Sequence, residues 1–206
     1  MDISGAGHWE DVYGSKEDVE TSWFQPVATD SLAMLDRLGV VASDSVIDVG
    51  GGTSRLVDEL LSRGHREMAV LDIASEALGK SRERLGAAGD AVDWVIADVT
   101  TWCPTRRYRV WHDRAVFHFL NSPEHRAAYR RVMREALGPG GMFVVATFAL
   151  AGPEQCSGLP VSRYDAAGLA QVLGPDIEVL ESCSLEHVTP WGAVQPFTWV
   201  AGRLKD

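Results

Sequence analysis

Asp48 lies in the run Val46-Ile-Asp-Val-Gly-Gly-Gly-Thr-Ser54, just ahead of three consecutive glycines. Glycine at Gly50, Gly51 and Gly52 lets a backbone approach a ligand closely, and a helix starting after them offers free N–H groups. Such a turn suits a nucleotide-like ligand. A carboxylate beside it repels a pyrophosphate but attracts an ammonium or sulfonium group. At about 4 Å and an effective dielectric near 20, that pair is worth up to ~4 kcal/mol before desolvation. The competing role for Asp48 is to cap its own turn. The dinucleotide fingerprint G-x-G-x-x-G fails at its third glycine, where Arg55 stands.

Asp72, Asp98 and Asp113 each close a further apolar run. At a strand end an acid such as Asp72 can accept hydrogen bonds from two ribose hydroxyls; helix capping is its bland alternative. Asp98 is placed to accept from an adenine amine. One such acid means little. Acids ending four successive strands, all at the edge where open α/β sheets bind ligands, indicate one shared site. The segment Trp111-His-Asp-Arg-Ala-Val-Phe-His-Phe-Leu120 is expected to floor a substrate pocket. His118 and His112 are candidate bases or orienters, weighed against satisfied core histidines. Arg114 pairs either with an anionic substrate or with a neighbouring acid. Trp9, Tyr13, Trp23 and Phe24 suit a sulfonium through cation–π attraction of about 0.5–2 kcal/mol each, or simply pack the N-terminal helices. In the loop Gln155-Cys-Ser-Gly-Leu-Pro-Val-Ser-Arg-Tyr164, residues Cys156, Arg163 and Tyr164 are candidate substrate contacts, and Glu186-His-Val-Thr-Pro-Trp191 a candidate closure.

The elements that position these residues follow from periodicity. Leu32, Leu35 and Leu38 share one face of a helix over 27–38. Strands are expected at 45–49, 68–73, 92–97 and 110–113. Helices are expected at 54–63 and 75–85, the second capped by Ser75. A long amphipathic helix spans 123–137 and is stopped by Gly138-Pro-Gly-Gly141. An apolar fifth strand covers 142–148, followed by a loop, a helix near 165–173, and extended runs at 177–188 and 195–204 joined by a turn. The alternation implies an α/β, Rossmann-like, mostly parallel seven-stranded sheet with helices on both faces and a C-terminal antiparallel hairpin. Residues 1–206 read as one domain, with 1–39 a lid-like lead-in and 40–206 the core.

The chain has 206 residues, enough for a large core, and carries a net charge of −10. That charge disfavours a nucleic-acid partner. No apolar run reaches the roughly 20 residues of a membrane span, and no secretory signal is expected. Three scattered cysteines fit neither a disulfide framework nor a metal site, and suggest a reducing, cytoplasmic setting. A monomer or weak homodimer is expected.

On these residues the chain resembles the class I S-adenosylmethionine-dependent methyltransferases from about residue 40 onward. Val46-Ile-Asp-Val-Gly-Gly-Gly is similar to their cofactor loop, Leu71-Asp-Ile73 to their ribose-binding strand end, Ala97-Asp-Val99 to their adenine site, and Leu137-Gly-Pro-Gly-Gly-Met142 to the turn before strand five. The resemblance implies S-adenosyl-L-methionine as cofactor, S-adenosyl-L-homocysteine as product, and contacts from Asp48, Gly50, Gly52, Asp72, Ile73, Asp98 and Val99; Gly51 and Asp113, with Trp9, Tyr13 and Trp23, are further candidate cofactor contacts. Thr53-Ser54 departs from members that carry a further glycine there. A narrower resemblance is to thiopurine S-methyltransferase-like enzymes, through the tryptophan-rich lead-in (Trp9, Tyr13, Trp23) and the pair Asp113-Arg114. It implies a lid and a small-molecule methyl acceptor; Asp113 and Arg114, together with His118 from the segment 111–120, are the candidate catalytic residues. A protein acceptor, such as a lysine side chain, is the alternative within the class. An NAD(P)-dependent oxidoreductase and a non-catalytic cofactor-binding protein are the alternatives outside it.

Overall fold

A computed structural model describes residues 5–205. Its elements run α1 (Ala6–Ser15), α2 (Thr29–Arg37), β1 (Val46–Val49), α3 (Leu56–Ser62), β2 (Met68–Asp72), α4 (Ser75–Leu85), β3 (Val92–Ile96), β4 (Val110–Arg114), α5 (Pro123–Leu137), β5 (Met142–Phe148), β6 (Gln155–Cys156), β7 (Leu159–Pro160), α6 (Ala166–Leu173), β8 (Ile177–Val188) and β9 (Val194–Leu204). Seven strands form one sheet in the order β3-β2-β1-β4-β5-β9-β8. The first five are parallel, while β9 runs antiparallel to β5 and to β8. The order reverses between β1 and β4, and a crevice opens there at the carboxyl edge.

Alternate residues of each central strand feed opposite cores. Val46, Val70 and Val144 meet α2, α3 and α4 on one face. Ile47, Val49 and Val145 meet α5 and α6 on the other. β1, β2 and β5 are buried along their whole length, as strands covered on both faces must be. The sheet is therefore a fixed platform for whatever its carboxyl ends carry. Among the described residues no helix is long and apolar enough to cross a membrane.

Two local expectations need correction. Ser75 does not cap α4: Ala74 holds the cap position without a side-chain bond, and Ser75 is the first helical residue. The loop after β5 is more structured than its Pro/Gly content suggests, because Gln155 and Cys156 pair with Pro160 and Leu159 in a two-residue hairpin.

Candidate active site

The glycine loop is bent by its own backbone. Gly50 and Gly52 have φ of +66° and +45°, and Gly50 N donates to Leu71 O at 2.6 Å. A Cβ on Gly50 would sit 1.9 Å from Val116 Cγ2, and one on Gly52 2.6 Å from the Tyr13 hydroxyl. The loop thus needs glycine for both conformation and room.

The acids at the strand ends have diverged in role. Asp48 is buried, with Oδ1 2.7 Å from His112 Nδ1; His112 Nε2 lies 2.9 Å from Ser31 Oγ. Asp48 Oδ2 has no partner among the described residues and lies beside Gly51. Asp72 accepts from Ala74 N at 2.9 Å, and burial raises its pKa to about 6. Asp98, half-buried, accepts from Thr100 N at 2.8 Å and from its hydroxyl at 2.7 Å. Asp113 departs from expectation. It is fully buried and turned under the chain, accepting from Val116 N at 2.8 Å, Phe117 N and Tyr129 Oη at 2.6 Å. It caps the turn after β4 and borders neither cavity.

His118 also turns away. It has no exposed surface, lies against Phe119 and Phe148, and neither ring nitrogen has a partner among the described residues. Burial pushes its pKa down to about 3, with the Arg114 charge adding to the effect. It is a neutral core residue at physiological pH, not a residue of the pocket wall. His112, held at both nitrogens, orients Asp48 rather than facing a substrate. Arg163 fastens its own loop through Leu150 O, Gly152 O and Glu154, Tyr164 packs beside Phe117, His187 meets Ser22 O at 2.6 Å, and Trp191 points to solvent.

The lead-in folds over the carboxyl edge. Trp9 and Tyr13 each meet Trp23 edge-on and are tilted against one another, and Trp9 also meets Phe119 edge-on. Glu10 holds α1 in place: Oε1 accepts from Ser75 N at 2.8 Å and Oε2 from Glu76 N at 2.9 Å, at the start of α4. Lys80 Nζ donates to Tyr13 O at 2.6 Å, and Asp18 meets Arg55 and Arg84. Arg55, the residue that breaks the dinucleotide fingerprint, is thus a clasp for the lead-in.

Beneath this cover lies a cavity of about 440 Å³. Of the expected residues, Trp9, Tyr13, Trp23, Gly50, Asp72, Ile73, Asp98 and Val99 line it, as do Arg114 and Cys156. Asp48 and Gly51 line a smaller neighbour of about 40 Å³, shared with Tyr13, Trp23, Gly50 and Arg114. Gly52 lies behind Tyr13 and Asp72. The sequence reading missed Glu124 and His125 at one end and Gln195 and Phe197 at the other. No local pattern announces them, since α5 and β9 reach the cavity only through the tertiary fold. Burial raises the Cys156 pKa to about 11, so this thiol stays protonated.

Sheet order, glycine loop and edge cavity define a Rossmann-like α/β protein with a cavity at the strands' carboxyl ends. Residues 46–141, which hold the loop and all four acids, match a family model described as a methyltransferase domain. That match covers a little under half of the chain and makes the segment similar to a methyltransferase domain. Among solved structures, a protein from work on converting a disulfide bond into a thioacetal group during echinomycin biosynthesis aligns with a TM-score of 0.77 at 16% identity, over 97% of this chain and 93% of that one. A SAM-dependent methyltransferase from Anabaena variabilis aligns at 0.75 and 16% identity, over 100% and 96%. The 1,6-didemethyltoxoflavin-N1-methyltransferase of Burkholderia thailandensis, solved with 1,6-didemethyltoxoflavin and S-adenosylhomocysteine, aligns at 0.68 and 19%, over 99% and 85%. At such identities the likeness is one of fold. A comparison with curated proteins finds no match.

Proposed function

We propose that the protein transfers the methyl group of S-adenosylmethionine to a sulfur, nitrogen or oxygen atom of a small molecule. The observation that carries this reading is the cradle around the glycine loop. Gly50 and Gly52 have no space for a side chain, and the buried Asp48 Oδ2, beside Gly51 between them, lacks a partner among the described residues. A buried acceptor without a donor is costly, and a ligand ammonium would satisfy it.

In this reading Asp48 receives the methionine ammonium, oriented by His112 and Ser31. Asp72 accepts from the ribose hydroxyls, Asp98 from the adenine amine, and Ile73 and Val99 pack on the adenine ring. Trp9, Tyr13 and Trp23 cover the sulfonium and keep water out. When bound, the cofactor supplies a methyl group already activated for in-line displacement by the acceptor's lone pair. The protein's part is alignment and desolvation. Among the described residues the one histidine lining the larger cavity, His125, stands on α5 rather than on the strands that carry Arg114, Cys156 and Phe197, and Cys156 is a protonated thiol. An acceptor that arrives with a free lone pair, as a thiolate or neutral amine, suits such a wall. The enclosed aromatic lining favours a small molecule; the toxoflavin-type acceptor of the Burkholderia enzyme is of that kind.

Thermal shift with S-adenosylhomocysteine against NADH tests the cofactor. At one hundred times its dissociation constant a ligand adds ~2.7 kcal/mol, or roughly 5–10 °C at this size. The shift is expected with S-adenosylhomocysteine and not with NADH, and Asp72→Ala should weaken binding at least ~tenfold. A shift with NADH alone would overturn the reading.

A further inference from the structure

Arg114 ends β4 and borders both cavities. It is the one lysine or arginine among the residues lining the larger cavity. Its guanidinium stacks 4.9 Å from the Phe197 ring centroid, and Nη1 donates to Trp23 O at 3.1 Å. Nε and Nη2 are buried and have no partner among the described residues. These two nitrogens form one side of the guanidinium fork, the side that meets both oxygens of a carboxylate. Asp30 and Asp48 act on Arg114 through the field alone, since neither forms an ion pair with it. A buried charge normally has a partner, and here none of the described residues provides one. Burial lowers the pKa of the group to about 10, so it stays charged at neutral pH.

The surroundings give the rest of the ligand. The lining acids Asp72, Asp98 and Glu124 belong to β2, the segment after β3, and α5, whereas Arg114 stands with Cys156, Gln195, Phe148 and Phe197 from β5, β6 and β9. The lead-in closes this part with Trp23, whose carbonyl Arg114 holds.

Resting on the cofactor reading above, we infer that the methyl acceptor is a flat, apolar carboxylic acid whose carboxylate is received by the free Nε–Nη2 side of Arg114. The rings of Phe148, Phe197 and Trp23 take its apolar body. The single cation sets it in one orientation, with the carboxylate as handle and another atom as the methylated one. The free side is closed off from solvent in this structure, so the acceptor's entry requires the segments packed around Arg114 to shift.

The test is calorimetry with matched probes, 2-naphthoate and 2-naphthamide, on the full chain saturated with S-adenosylhomocysteine. Binding of S-adenosylhomocysteine is titrated first; its absence would overturn the cofactor reading itself. With the cofactor product bound, naphthoate should bind at least ~tenfold tighter than the amide. Arg114→Met should abolish that preference while leaving S-adenosylhomocysteine affinity within about threefold, and Arg114→Lys should restore part of it. Equal affinity of the two probes for the wild-type protein, or no binding of naphthoate, overturns the inference. So does a preference that survives in Arg114→Met. The wild-type comparison decides the matter even where a variant fails to fold.

Discussion

The two ends of the cavity are built in different ways. The end formed by β1, β2 and β3 is mostly backbone and strand termini: a glycine loop, Asp72, Asp98 and the residues directly after them. The opposite end is assembled from side chains far apart in sequence, Trp23, Arg114, Cys156 and Phe197, each from a different segment. The first end is rigid because a buried parallel sheet holds it. The second depends on how a lead-in, a small hairpin and a C-terminal strand come together. A shared cofactor fits the first kind of wall, and a particular acceptor fits the second.

Gly50→Ala should separate the two ends most sharply. Its φ of +66° disfavours any side chain, and the new Cβ would meet Val116 Cγ2 at 1.9 Å. Val116 is β-branched and cannot easily turn aside. S-adenosylhomocysteine affinity should fall at least ~100-fold, about 2.7 kcal/mol, measured by calorimetry. A loss below threefold would show that the loop does not approach the ligand, and the contrast between the ends would fail.

His118→Phe probes the ground under the second end. An isolated histidine titrates near 6.5, and in the fold its pKa is lowered to about 3. Between these values the unfolded chain binds a proton that the folded chain refuses, so stability falls as pH drops from above 6.5 toward 3. At pH 5 this one residue removes about 2 kcal/mol relative to pH 7. Asp72 and Asp113, both raised to about 6, work in the opposite direction in both proteins and cancel in the comparison. Urea unfolding at pH 7 and pH 5 should therefore show a smaller acid loss in the variant. An unchanged acid loss, together with collapsed methyl transfer, would return His118 to the role of a base.

The same division explains what the sequence made legible. The parallel core, the glycine loop and the acids at 72 and 98 follow from apolar runs and turn chemistry within a few residues, and the structure places them where those patterns point. Asp113 and His118 sit in the same kind of pattern but face inward. The reason is local and invisible to periodicity: Asp113 is taken by the amides of Val116 and Phe117 and by the Tyr129 hydroxyl, which lies on α5. His112 was legible as polar on an apolar strand, but its bond to Asp48 depends on the β1–β4 register, which pairs Asp48 with His112 directly. Gln195 and Phe197 carry no signal, because β9 reaches the cavity only through its pairing with β5, distant in sequence.

The smallest expected effect concerns the strap that joins the two ends. Glu10 caps α4 from outside that helix, accepting from Ser75 N, Ser75 Oγ and Glu76 N. Those hydrogen bonds, the Ser75 hydroxyl first, hold its pKa below the usual carboxylate range. A capping side chain is worth ~1 kcal/mol in typical cases, and less at an exposed site where water replaces the bonds. Lys80 still holds the end of α1 through Tyr13 O and Lys16 O. Glu10→Ala should therefore leave the global unfolding midpoint nearly unchanged. It should speed amide exchange over residues 6–15 a few-fold and weaken S-adenosylhomocysteine by about threefold, since Trp9 and Tyr13 would spend part of their time away from the cavity. Faster exchange confined to the lead-in would show a cover held by separable clasps. Exchange unchanged from the wild type would mean that the aromatic cluster alone fixes α1, and the lead-in would then belong with the rigid end of the site.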